Sequence, residues 1–216
     1  MQLLDLSHIV EHGMVTYPGL PGPVISDHMT FEDSRAHYAA GTEFHIGRIE
    51  MVANTGTYLD TPAHRWQGGA DLSTVPLDGL AGLPGVVIRS KGPELTPDLI
   101  TDTVISGAAV LFNTGWDRHW RTDDYGDAGH PFVGTALADA LVTADPALVG
   151  IDAVNIDSTM GEDRPAHSLL LGAGILVVEH LTRLDLLPDA GFEFFAVPAK
   201  VRGLGTFPVR AFARWS

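Results

Sequence analysis

The sequence predicts a layered α/β fold. From residue 85 onward, short apolar runs alternate with helix-type segments, the pattern of strands and helices stacked in layers. The chain of 216 residues is long enough to bury a sizeable core. Neither a repeat nor a shift in composition marks a boundary, so a single domain over residues 1–216 is expected. Hydrophobic residues at 45% and charged residues at 19% fit a globular chain and exclude a disordered or fibrous one.

The first third is rich in Gly, Pro and His and reads as short strands and long loops. Residues 14–23, MVTYPGLPGP, carry turn formers throughout. Residues 45–56, HIGRIEMVANTG, approximate a strand in which Ile46, Ile49 and Met51 are the apolar positions. GVVIRS (85–90) is a short apolar strand. TPDLITDTV (96–104) reads as a helix start, with Thr96 at the N-cap and Pro97 at the first helical position. AVLFNTGW (109–116) is a second strand, and Thr135–Ala144 is a helix closed by Pro146. Further strands are expected in LVGIDAVNID (148–157), GILVVEHL (174–181) and EFFAVPAKV (193–201). In such folds the functional residues lie at strand ends and in the loops that follow.

Composition removes several function classes. With no cysteine there is no disulfide, thiolate metal site or cysteine nucleophile, so any metal is held by His, Asp, Glu, carbonyls or water. A net charge of −14 repels phosphates and argues against a nucleic-acid partner. No run of about 18 apolar residues occurs, so no membrane span is expected. The opening MQLLDLSHIVEHG lacks a basic segment followed by an apolar one, so a cytoplasmic protein is the expectation.

The segment Asn54-Thr-Gly-Thr-Tyr58-Leu-Asp60-Thr-Pro-Ala-His64-Arg65 is the most informative. Positions 54, 56, 58, 60 and 64 share parity, so an extended backbone would aim their side chains to one face and let Asp60 and His64 converge. A second cluster lies downstream. Asp157-Ser158 follows a predicted strand, Arg164-Pro-Ala-His167 precedes a Leu run, and Glu179 ends the apolar run GILVVE. A carboxylate there needs a partner to be buried. Asp60, His64, His167 and Glu179 are all acceptable ligands for a divalent ion. The remaining histidines are assigned surface or satisfied core roles. Trp116 sits in an aromatic loop suited to lining a substrate pocket or a subunit contact.

This segment resembles the H-x-G-T-H-x-D-x-P-x-H signature of the cyclase family, which includes kynurenine formamidase-like and isatin hydrolase-like enzymes. The resemblance extends to Asp5-Leu-Ser7-His8, Tyr17-Pro-Gly19, Thr114-Gly-Trp-Asp-Arg118, Val149-Gly-Ile-Asp152, His167 with Glu179 twelve residues on, and Pro208-Val-Arg210. It implies a swivelling β/β/α domain, a mixed sheet with flanking helices. It also implies a homodimer or larger assembly acting on a small molecule. The family's first two motif histidines, metal ligands in its metal-dependent members, fall on Asn54 and Tyr58 here. Asn is a weak zinc ligand, and a phenol must lose a proton to become one. A binuclear centre is therefore not carried over. One divalent ion, Zn or Mn, held by Asp60, His64, His167 and Glu179, or none, is what these residues support.

The leading expectation is hydrolysis of an amide, lactone or other carbonyl bond in a small cyclic or aromatic substrate. His64, Tyr58 and Asp60 are the expected catalytic residues, with Asn54 and Trp116 binding substrate. An alternative is a metal-independent cyclase or lyase using Asp60–His64 acid–base chemistry. A second is a binding protein of the same fold without activity.

Overall fold

The structure, a computed structural model, describes residues 1–101 and 103–216. Its strands are β1 (Gln2–Asp5), β2 (Val24–Met29), β3 (Ile46–Glu50), β4 (Tyr58–Asp60), β5 (Ala81–Arg89), β6 (Glu94–Leu95), β7 (Ala109–Asn113), β8 (Phe132–Val133), β9 (Leu148–Ile151), β10 (Leu176–Glu179), β11 (Ala190–Phe195), β12 (Thr206–Pro208) and β13 (Phe212–Trp215). Helices α1 (Phe31–Ser34), α2 (Pro62–Arg65), α3 (Thr135–Ala144) and α4 (Pro165–Gly172) accompany them.

A mixed nine-stranded sheet runs β1-β13-β11-β5-β7-β9-β10-β4-β12. Its centre, β5-β7-β9-β10, is parallel, and its flanks are antiparallel. Side chains on a strand alternate between faces, and the two cores follow that alternation. On β7, Ala109 and Leu111 join one core cluster while Val110 and Phe112 join the other. Across β10, Val178 and Val177 divide in the same way. Helices α3 and α4 cover the second cluster through Leu137, Leu141 and Leu170. Strands buried on both faces read as continuous apolar runs, which is why this region was legible in sequence.

Three local readings are revised. The segment 45–56 does supply β3, but every residue of β3 is exposed; it pairs only with β2, in a ribbon away from the large sheet. The helix read at 96–104 is a 3₁₀ turn over Pro97–Ile100, and Thr96 makes no side-chain cap bond; residue 102 of that span lies outside the described residues. The extended run proposed for 54–64 is short. Gly56 adopts φ +66°, which turns the chain before β4, and Pro62 opens α2 immediately after it. No helix among the described residues is long and apolar enough to cross a membrane.

Candidate active site

Sheet register builds the site. Strand β4 lies between β10 and β12, with Tyr58 opposite Glu179 on one side and Asp60 opposite Thr206 on the other. Side chains directly across an antiparallel ladder stand close enough to bond. The Tyr58 hydroxyl donates to Glu179 Oε2 at 2.6 Å, and Thr206 Oγ1 donates to Asp60 Oδ1.

His64 arrives by a different route from the one its parity suggested. Helix α2 starts at Pro62, and the Thr61 amide is anchored on the Gly205 carbonyl at 2.7 Å. The chain before β12 presses so closely on α2 that a Cβ on Gly205 would lie 2.1 Å from the backbone nitrogen of His64. Only glycine permits that approach. The helix sets His64 Nδ1 2.7 Å from Thr206 Oγ1 and 3.7 Å from Asp60 Oδ1. Because the Thr206 proton goes to Asp60, Nδ1–H of His64 donates to Thr206, and Nε2 is the acceptor left for the cavity.

Asp157 places His167. It is fully buried just before α4, where its Oδ1 accepts from the Ala166 amide at 2.6 Å and Oδ2 from the His167 amide at 3.0 Å. The same Oδ2 accepts from His167 Nδ1 at 2.6 Å, which turns Nε2 toward Asp60 Oδ2 at 3.7 Å and Glu179 Oε1 at 3.6 Å. A carboxylate behind an imidazole in this way fixes its tautomer and orientation. Burial opposes charge on His167, but Glu179, the Asp157 bond and Asp60 outweigh it and raise its pKa.

Glu179 accepts at both oxygens, from Tyr58 at 2.6 Å and from the Ile156 amide at 2.6 Å. Burial pushes its carboxyl up, His167 pulls it down, and Asp60 pushes it up again. Burial, reinforced by the charges of Glu179 and Asp60, holds Tyr58 well above the ordinary phenol value, with Asn54 opposing. Tyr58 is therefore a neutral donor and not a phenolate ligand. Its only proton is committed to Glu179, so His180 Nε2–H donates to the phenol oxygen at 3.2 Å and Tyr125 donates to His180 Nδ1 at 2.7 Å. Burial lowers the His180 pKa to about 3, which keeps this relay neutral.

Asn54, Tyr58, His64, His167 and Glu179 all line one cavity of about 1020 Å³, with Asp60 buried beneath them. Trp116 does not line it. Its indole N–H donates to the Tyr125 carbonyl at 2.9 Å and its ring packs, partly buried, against the second core. Of the four expected metal donors, Asp60, His64 and His167 converge, with one donor atom of each within 4.8 Å of the others. Glu179 stands beside them with both oxygens already engaged.

The donor set fits a divalent ion. Asp60 Oδ2 is fully buried with no hydrogen-bond partner among the described residues, a costly state unless a cation meets it. Three buried carboxylates, Asp60, Asp157 and Glu179, surround His167, and a mixed His–carboxylate set suits Zn or Mn. Sequence reasoning gave no role to Asp157 or Thr206, placed Tyr125 only in the aromatic loop of Trp116, and read His180 as a surface or satisfied core histidine; it is buried with both ring nitrogens bonded. Only Asp157 had a signal, a carboxylate after a predicted strand and ten residues before His167.

Comparison with known proteins agrees with this geometry. The Cyclase family model matches residues 4–158. The chain is 30% identical over 218 residues to kynurenine formamidase from Salinibacter ruber (strain DSM 13855 / M31), covering 99% of this chain and 98% of that one. It is 27% identical over 217 residues to kynurenine formamidase from Polaromonas naphthalenivorans (strain CJ2), covering 99% and 91%. A solved structure described as a potential metal-dependent hydrolase with cyclase activity superposes with a TM-score of 0.79 at 28% identity, over 98% of this chain and 96% of that one. Isatin hydrolase A from Labrenzia aggregata superposes with a TM-score of 0.83 at 23% identity, over 98% and 93%, which is a likeness of fold.

Proposed function

The chain belongs to the cyclase family, and on that footing we propose that it hydrolyses the amide bond of a small aromatic substrate, as an arylformamidase does. The observation that carries this reading is the buried, unpartnered Asp60 Oδ2 facing His167 Nε2 at the floor of a cavity into which His64 offers a free nitrogen. Asp60 and His167 would hold one divalent ion, Zn or Mn, beside His64, whose Nε2 is kept for proton transfer; when bound, such an ion polarises the substrate carbonyl as a Lewis acid.

This chain's residues do the rest. His64 Nε2 accepts the proton of the attacking water and returns it to the leaving nitrogen as the C–N bond breaks. The products are a carboxylic acid, formic acid for a formamide, and an arylamine. Thr206 and Asp60 hold the His64 ring in the tautomer this needs. The Asn54 amide lines the cavity, where it can donate to the carbonyl oxygen. Tyr58, expected from sequence to be catalytic, is assigned instead to holding Glu179. A panel of N-formyl arylamines and cyclic imides tests the reading, with formate or ring-opened acid as the readout. Turnover that vanishes in His64→Gln supports it, and a panel without turnover in the ion-loaded protein defeats it.

A metal-independent reaction is the second reading. It is favoured by the Asp60–Thr206–His64 relay, which is complete without an ion. A homo-oligomer is also part of this proposal. The β2–β3 ribbon exposes Val24, Ile25, Ile46 and Ile49, with Phe44 exposed just before it, and a two-stranded ribbon is marginal in water unless its apolar residues are covered. Light scattering on the purified protein decides it.

A further inference from the structure

We infer that the side-chain amide of Asn155 holds the carbonyl oxygen of the substrate as negative charge develops on it, an assignment that rests on the hydrolytic reading above.

Asn155 lies in the loop that follows β9, and each residue from 155 to 157 serves the site in its own way. The Ile156 amide donates to Glu179 Oε1 at 2.6 Å. Asp157 accepts from His167 Nδ1 at 2.6 Å. Asn155 Oδ1 accepts from the Asp157 amide at 2.9 Å, so the side chain braces its own backbone two residues on. That bond fixes which way the Asn155 amide faces. Only its oxygen can meet an N–H, so Nδ2 points away from the turn. The loop is also tied from outside, because the Val133 amide donates to the Ile156 carbonyl at 2.8 Å.

Nδ2 is the free half of this amide. Asn155 is 9% exposed and lines the cavity together with His64, His167 and Glu179. Among the described residues Nδ2 has no protein partner, and it is not one of the sealed, unpartnered atoms, which are His8 Nε2 and Asp60 Oδ2. Its N–H donors therefore open onto the cavity. Their depth follows from the next residue: the Ile156 nitrogen is 2.6 Å from Glu179 Oε1, and that oxygen is 3.6 Å from His167 Nε2. Asn54, the other amide on the cavity wall, is shared with the Tyr58 phenol, whose pKa it lowers.

The floor of the site gives such a donor its task. Attack of water on the carbonyl carbon moves the π electron pair onto the carbonyl oxygen. As the C–N bond breaks, that pair returns and His64 passes its proton to the leaving nitrogen. Asp60, Asp157 and Glu179 are buried around this point, and carboxylates oppose a developing anion. A donor aimed beforehand offsets them without reorganising during the reaction. The Asn155 amide is neutral, is held by the Asp157 bond and faces the cavity.

Asn155→Ser and Asn155→Asp test the assignment. Both keep an oxygen for the Asp157 amide, and both lose the Nδ2 donor. In the full-length, ion-loaded protein, kcat for N-formylaniline is expected to fall about 100-fold with KM within about threefold. In Asn155→Ser, Tm and ion affinity by chelator competition should stay at wild-type values, because the Asp157–His167 bond is retained. Exchange of the substrate oxygen for sulfur, a weaker acceptor, supplies a readout that a bracing role leaves unmoved. The wild-type preference for N-formylaniline over N-thioformylaniline is expected to shrink about 10-fold in Asn155→Ser. An unchanged kcat in Asn155→Ser overturns the assignment, as does a fall in kcat with the oxygen-to-sulfur ratio unmoved. A fall confined to Asn155→Asp reports its added charge and overturns the assignment too. In each of these cases the wild-type protein still turns over and the hydrolytic reading stands. A wild-type protein inert toward both substrates defeats that reading and this assignment with it.

Discussion

Replacing Asp157 with asparagine keeps the side-chain shape and removes the charge that orients His167. Three donors converge on the two Asp157 oxygens, the Ala166 amide at 2.6 Å, the His167 amide at 3.0 Å and His167 Nδ1 at 2.6 Å. Asparagine has one oxygen. If that oxygen faces His167, the new NH₂ faces the Ala166 N–H, two donors meet, and a buried amide is left unsatisfied at about 1–3 kcal/mol. If the amide is turned round, His167 must move its proton to Nε2, the atom that faces Asp60, and can no longer offer it to an ion. Adding the lost charge assistance, the change costs about 3 kcal/mol, which for a chain of this length lowers Tm by roughly 6–12 °C. Ion affinity should fall about 10–100-fold, as removal of a carboxylate behind a histidine ligand does. Thermal unfolding and competition against a fluorescent chelator measure both. An Asp157→Asn protein that binds Zn or Mn as tightly as wild type would refute the reasoning that Asp157 sets the working nitrogen of His167.

Tyr58→Phe removes the donor to Glu179 Oε2 and the acceptor of His180 Nε2–H in a fully buried pair. A loss of about 2 kcal/mol, roughly 4–8 °C in Tm, is expected in calorimetry. Gly205→Ala drives a Cβ into the α2 backbone beside His64; chelator competition should show weakened ion binding, with a Tm drop of several degrees. Burial lowers the His8 pKa from 6.5 to about 4, while Asp117 raises it, so unfolding takes up a proton below pH 6.5. The stability His8 contributes is therefore fully present above pH 6.5 and is lost as pH falls from 6.5 toward 4. His8→Phe keeps the stack on Trp120, whose ring centre lies 3.9 Å away, and should flatten the fall of Tm with acid over that window. An unchanged slope would contradict this.

What the sequence made legible has a physical pattern. The central strands β7, β9 and β10 are apolar on both faces, and α3 runs between a glycine and a proline, so local composition alone marks them. Asp60, His64, His167 and Glu179 were legible as a group because their side-chain chemistry is restrictive. Their division of labour was not. Strand register puts Tyr58 opposite Glu179, and that pairing commits both Glu179 and the phenol proton. Parity suggested that Asn54 and His64 extend the same strand, but the positive φ of Gly56 and the proline start of α2 break it on both sides. Thr206 and His180 reach the site from 142 and 122 residues away from His64 and Tyr58, through sheet order that no local pattern encodes. Trp116, expected to bind substrate, lies outside the cavity, with its partly buried ring packed against the second core.

The central claim is that this chain hydrolyses an arylamide through His64, with Asp60 and His167 as the residues that would hold one ion per chain. Its most direct test measures bound metal and turnover of an N-formyl arylamine on the same samples, as Zn or Mn is returned to chelator-stripped protein. The account predicts turnover that rises in proportion to bound ion and stops rising at one ion per chain. Turnover that is independent of ion content, or that climbs until two ions are bound, would contradict it.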